Sequence, residues 1–163
     1  MPVARCPLTV LLPAAVRFVF LALLFLFLAA CASAPTQEMS DARQSVEAAL
    51  DAGADRYAAV NLRNAEEYLR KAERELELRF FSRARHDAIV ARSEALKARD
   101  VALAIKAAQE AIDAASETGS VAPGALARAR ETLRKALAAA ERGRTKRALE
   151  LAAEARRLAG ADD

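Results

Sequence analysis

Residues 61–79 read NLRNAEEYLRKAERELELR. Within them Leu62, Ala65, Leu69, Ala72 and Leu76 follow one another at steps of 3, 4, 3 and 4. Such a seam belongs to an α-helix that packs along one side, because these positions return to the same face every second turn. The residues between them are charged in helical order. Glu66 precedes Arg70, Glu67 precedes Lys71 and Glu75 precedes Arg79 at i,i+4, the more favourable orientation for such pairs, so they mark the solvated face.

The pattern continues in both directions. Upstream, a helix is predicted over residues 40–52, ending at Gly53, where glycine takes the left-handed conformation freely. The quoted helix spans about 58–79. A third, long helix is predicted from Ser82, read as its N-cap, to about residue 116, along Ala84, Ala88, Ala91, Ala95, Ala98, Ala102 and Ile105. The stretch ETGSVAPG at 117–124 then breaks the chain, and Pro123 suits the first turn of a fourth helix with the seam Leu126, Ala129, Leu133, Ala136 and Ala140. Gly143 interrupts, and a fifth helix carries Ala148, Ala152, Ala155 and Ala159. The fold class expected is therefore all-α, with antiparallel hairpins in an elongated, coiled-coil-like bundle. Its seams are mostly alanine, and a buried methyl contributes only ~0.8 kcal/mol, so the bundle should be slender. Phe80 and Phe81 are expected to cap the core where the second helix turns into the third, the other reading being an exposed aromatic contact. Tyr57 is expected to close the end of the first hairpin.

The chain also repeats itself. LRKA occurs at 69–72 and at 133–136, an offset of 64. Ala65 matches Ala129, Arg83-Ala84 matches Arg147-Ala148, and Ala88 matches Ala152 at the same offset. Two equivalent hairpins follow from this, 58–79 with 82–100 and 124–141 with 145–159.

The first thirty residues are of another kind. They hold Arg5 and Arg17 and no acid, run apolar from 18 to 28, and close on small residues, which is the layout of a secretory signal. Arg17 leaves an apolar run too short for a permanent span, which needs roughly 20 residues. The border itself, LAAC, resembles the lipobox of bacterial lipoproteins. That resemblance implies that Leu28, Ala29 and Ala30 are read by the lipoprotein signal peptidase. Cys31 is then the residue whose sulfur receives a diacylglyceryl group and whose freed amine is acylated. Two or more acyl chains hold a protein stably on a bilayer, so no spanning helix is needed. The resulting division is a signal peptide at 1–30, a lipidated N-terminus and linker at 31–37, a helical part with the first hairpin at 38–116, and a second hairpin at 117–163. Ala32 after the cysteine implies, by the same resemblance, the periplasmic face of the outer membrane.

After such cleavage 133 residues remain, with 23 basic and 22 acidic side chains. This near-neutral balance speaks against generic nucleic-acid binding, which neutralises many phosphates. One cysteine remains, so no internal disulfide is available. His86 is the only histidine; Ser82 with His86 lacks a third supporting group, and no cluster of metal ligands or glycine-rich phosphate loop occurs. No enzyme activity, metal or cofactor is expected beyond the covalent lipid on Cys31. The sharper feature is charge. Arg79, Arg83, Arg85 and His86 surround the first hairpin turn, and Arg142, Arg144, Lys146 and Arg147 surround the second. If the hairpins stack alike, these make one basic tip suited to an anionic partner such as lipid head groups or lipopolysaccharide; the other reading is that turns are solvated and cations favour helix C-termini.

Finally, Ser40-Asp41-Ala42-Arg43, then Ala52-Gly53-Ala54 before Tyr57, then Ala65, Leu69 and Ala72 give residues 38–100 a resemblance to the bacterial envelope lipoprotein family named domain of unknown function 4398. The family supplies no catalytic residues. Some members carry a peptidoglycan-binding domain, which is not expected here. The small residues facing across each hairpin also resemble tetratricopeptide repeats, though the period of 64 departs from their ~34. The expected role is a lipid-anchored, non-enzymatic scaffold or adaptor in the envelope, with the membrane, other envelope proteins and a second copy of itself as partners. The alternative is binding of an anionic envelope ligand at the basic tip.

Overall fold

The computed structural model describes residues 33–161. Its helices are α1 Thr36–Asp51, the single turn α2 Ala54–Tyr57, α3 Ala59–Glu77, α4 Phe81–Thr118, α5 Pro123–Ala140 and α6 Thr145–Leu158. From Ala34 onward they form one compact, all-helical unit, so both hairpins belong to the same body. The organising element is α4. Its 38 residues make a rod of about 57 Å, and every other helix packs on it.

The ion pairs fix the directions. Glu38 meets Arg85 and Asp41 meets Arg92, so α1 runs parallel to α4. Asn61 meets Glu94 and Lys71 meets Asp87, so α3 runs antiparallel to α4 and therefore to α1, which it reaches through Arg43–Glu73 at 2.9 Å. One small apolar cluster joins Met39 and Ala42 of α1 to Ala72 of α3 and to Ala88 and Ala91 of α4. Consequently the start of α1, the end of α3 and the start of α4 meet at one end. The main cluster begins at Val46 and Ala49 and continues along Ala98, Ile105 and Ile112 to Leu133, Leu151 and Ala159. At the far end the chain turns through Gly119, and Gly160 after α6 packs near Val121.

The seams expected on α4 are buried at every position, from Ala84 through Ile105. Alanine at these sites lets helices approach closely, and large side chains such as Met39, Val101, Ile105 and Ile112 fill the remaining space. Where the boundaries differ from expectation, packing and backbone hydrogen bonds at the helix starts are the reason. α1 begins at Thr36 rather than near residue 40, because Pro35 is fully buried and its carbonyl accepts the Met39 N–H at 3.0 Å. Ser82 is not the cap of α4; Phe80 holds that position, and its carbonyl accepts the N–H groups of Arg83 and Ala84. The short α2 is an addition to the expected elements. It fills the interval between Gly53, at φ 83°, and Ala58, whose φ of −144° breaks the helix before α3.

The offset of 64 reappears in the backbone. After α3 the Phe80 N–H bonds to the Glu75 carbonyl at 2.8 Å and the Arg79 N–H to Leu76 at 3.0 Å. After α5 the Arg144 N–H bonds to Ala139 and the Gly143 N–H to Ala140, both at 2.9 Å. Each is a Schellman closure with one left-handed residue, Arg79 at φ 61° and Gly143 at φ 67°. The two turns are the same object built twice, once without glycine.

Candidate functional site

The first basic group occupies the turn between α3 and α4. Arg79 takes the left-handed position there and is exposed. Its neighbours Leu78 and Phe80 are 63% and 48% exposed, so Phe80 does not cap the core; Phe81 is half-buried. The Arg83 guanidinium lies 5.3 Å from the Phe80 ring centroid, a cation–π arrangement. Arg85 is half-buried and donates to Glu38 at 2.7 Å. Hydrogen bonding at the start of α1, together with Arg85, holds the Glu38 carboxyl below the usual carboxylate range.

Beside this turn Asp87 is almost wholly buried and forms an ion pair with Lys71 at 2.7 Å. Asp87 hydrogen bonding and charge hold the Lys71 ammonium above the ordinary lysine value. Ser82 and His86 line the same shallow depression with Lys71, Glu75 and Asp87. Both are exposed. Among the described residues no group of three or more His, Cys, Asp and Glu is placed to hold a metal ion.

The second basic group is elsewhere. The turn between α5 and α6 packs against the start of α3, where a β-carbon added at Gly143 would come within 3.1 Å of Val60. Thr145 donates to Asn61 Oδ1 at 3.3 Å, and Asn61 donates to Glu94 Oε2 at 3.0 Å. This turn therefore lies level with Glu94 on α4, whereas the first lies level with Arg83. Eleven residues of helix, roughly 17 Å at 1.5 Å each, separate them. The single basic tip expected from the sequence does not form. The reason is the length of α4: the second hairpin docks further along the rod instead of stacking level with the first. Two of its cations also meet the chain's own acceptors. Arg142 donates to the Ala138 carbonyl at 3.1 Å, Arg147 pairs with Glu150 at 3.2 Å, and Arg144 stands at the N-cap of α6. Lys146 borders an open cleft with Asn61, Asn64, Glu94 and Lys97.

The part-buried link from Thr145 through Asn61 to Glu94 joins both hairpins to the rod and has no signature in the sequence. Asn61 and Thr145 stand 84 residues apart, so no local pattern pairs them. Asp87 leaves a clearer trace, an acid three residues after Ala84 and beside Ala88 on an otherwise alanine seam. Cys31, Leu28, Ala29 and Ala30 lie outside the described residues, and no helix among the described residues is long and apolar enough to cross a membrane.

Against known families, residues 37–114 match the model described as Domain of unknown function (DUF4398). This part of the chain belongs to that family. The match runs from α1 into α4 and includes the first turn, leaving α5 and α6 beyond it. No curated protein and no solved structure matches the chain.

Proposed function

We propose that this chain, with its DUF4398 segment, is a lipid-anchored envelope protein at the periplasmic face of the outer membrane and serves there as a non-enzymatic scaffold. The anchor is Cys31, cleaved after Leu28-Ala29-Ala30 and acylated. The observation that carries the scaffold reading is on α4. Ile89, Leu96 and Leu103 recur every seven residues, with Ile89 53% and Leu103 48% exposed and Leu96 half-buried. Seven residues bring a helix back to nearly the same side, so the three form one stripe along about 21 Å of the rod. Arg92, Arg99 and Lys106 follow the stripe three residues on. A heptad-spaced apolar stripe with a charged margin is what a partner helix packs against. The partner in this reading is another envelope protein or a second copy of the chain.

A photo-crosslinking amino acid introduced at Ile89 or Leu103 tests this in intact cells. The expected result is one adduct of the same mass from both positions, with none from Lys135 on α5. Scattered or absent adducts refute the scaffold. The anchor is tested separately. Labelled fatty acid should reach the native chain and not the Cys31→Ser variant, which should leave the membrane pellet.

A further inference from the structure

The two Schellman turns provide an internal comparison. Their backbones coincide at an offset of 64, so Leu78, Arg79 and Phe80 correspond to Arg142, Gly143 and Arg144. The second turn follows ordinary rules, with glycine at the left-handed position and polar residues on either side. The first reverses both rules. It puts two large apolar side chains, 63% and 48% exposed, on a tight turn, and a residue with a β-carbon at φ 61°. Nothing in the turn requires this, since the second copy closes the same hydrogen bonds without it. Strain of this kind held by its surroundings points to a role for the side chains it presents.

The location supplies the role. The chain enters the folded unit at Ala34 and Pro35, and α1 begins with Glu38 against Arg85. The turn at 78–80 and the start of α1 thus share one end of the unit. Upstream of that end lie 33 residues that include the apolar run at 18–28 and Cys31. The exposed cations at this end are Arg74, Arg79 and Arg83, against Glu77. Glu38 is matched by Arg85, and the half-buried Glu75 contributes to raising the Lys71 ammonium.

We infer that the turn Leu78-Arg79-Phe80, with Arg83, is a membrane-contacting tip that seats in the interfacial layer of an anionic bilayer beside the lipid anchor. This rests on the Cys31 anchor proposed above. Leu and Phe enter at the level of the head groups, while arginines keep their guanidinium groups at the phosphates and lay their stems along the apolar layer. Each cation near an anionic surface strengthens adsorption by roughly fivefold. The occupant is a lipid surface rather than a protein groove, because the same end of the unit receives the segment leading from Cys31 and because apolar and cationic groups alternate within three residues.

The chain contains no tryptophan, so a single introduced indole reports its own depth. The full-length acylated chain carrying Phe80→Trp is reconstituted into vesicles of phosphatidylglycerol and phosphatidylethanolamine with brominated acyl chains. Leu103→Trp on the side of α4 serves as the reference, and mass spectrometry of the Cys31 peptide reads acylation in the same sample. The expected result is a blue-shifted indole emission in the Phe80→Trp chain, quenched several-fold more than in the Leu103→Trp chain. Quenching should fall when Arg79 and Arg83 are both changed to Glu while helicity is unchanged. Acylated Phe80→Trp protein that is quenched no more than the reference overturns the tip and leaves the anchor standing. A blue shift that depends on protein concentration without quenching assigns the turn to a second copy and also overturns it. Quenching without acylation supports the tip and removes the anchor, whereas loss of both removes both.

Discussion

Arg79 and Gly143 occupy equivalent positions, yet exchanging their residue types should move stability in opposite directions. A residue with a β-carbon in the left-handed region costs about 1–2 kcal/mol. Arg79→Gly removes that cost at φ 61°. It also returns about 0.4–1 kcal/mol of backbone freedom to the unfolded chain. The net expectation is a gain of about 0.5–1 kcal/mol. Gly143→Ala runs the other way. It imposes the left-handed cost at φ 67° and brings a β-carbon within 3.1 Å of Val60 Cγ1. Val60 is half-buried and must shift, so the net loss is about 1–2 kcal/mol.

Thermal and guanidinium unfolding, each followed by far-ultraviolet circular dichroism, measure both. A body of this size shifts its midpoint temperature by roughly 3–5 °C per kcal/mol, so the two variants should separate clearly. The denaturant slope should not change, because neither substitution alters the surface exposed on unfolding. If Arg79→Gly destabilises as much as Gly143→Ala, the equivalence of the two turns is wrong. The same Arg79→Gly variant should bind anionic vesicles less well while being more stable, and that pairing of outcomes separates strain kept for function from strain merely tolerated.

Asn61→Ala should cost about 1–2 kcal/mol, because it removes two part-buried hydrogen bonds, one to Glu94, which keeps Lys97, and one from Thr145; a change within the error of a surface substitution in chemical denaturation sinks the idea that this link holds the second hairpin to the rod. Lys71, its ammonium held above the usual value of 10.5 by Asp87, contributes stability that is fully present below that pH and is lost as pH rises through the higher folded value. Thermal unfolding scanned across the alkaline range should therefore show a fall that Lys71→Met abolishes, and an unchanged pH profile in that variant contradicts the assignment.

Much of this architecture is legible in the chain because alanine periodicity leaves few alternatives. The step pattern from Ala84 to Ile105 permits one buried face, and that face is buried. Pro123 and Gly143 are equally plain, since each suits one place in a helix better than any other. Where sequence and structure part, the signal of a single side chain is outweighed by burial or by the hydrogen bonds of the neighbouring turn. Ser40 and Ser82 carry good capping side chains, yet burial of Pro35 starts α1 earlier and the Schellman turn makes Phe80 the cap of α4. The separation of the two basic groups is hidden because nothing local states how far along a 38-residue rod the second hairpin docks. The repeat is the most instructive case. Its alanines can be matched by eye, but the turns cannot, because Arg79 stands where a search for matching residues wants glycine. What the two hairpins share at that point is the sign of φ and a pair of carbonyl acceptors, and where that geometry is kept while the favourable residue is given up, the side chain becomes the place to look for function.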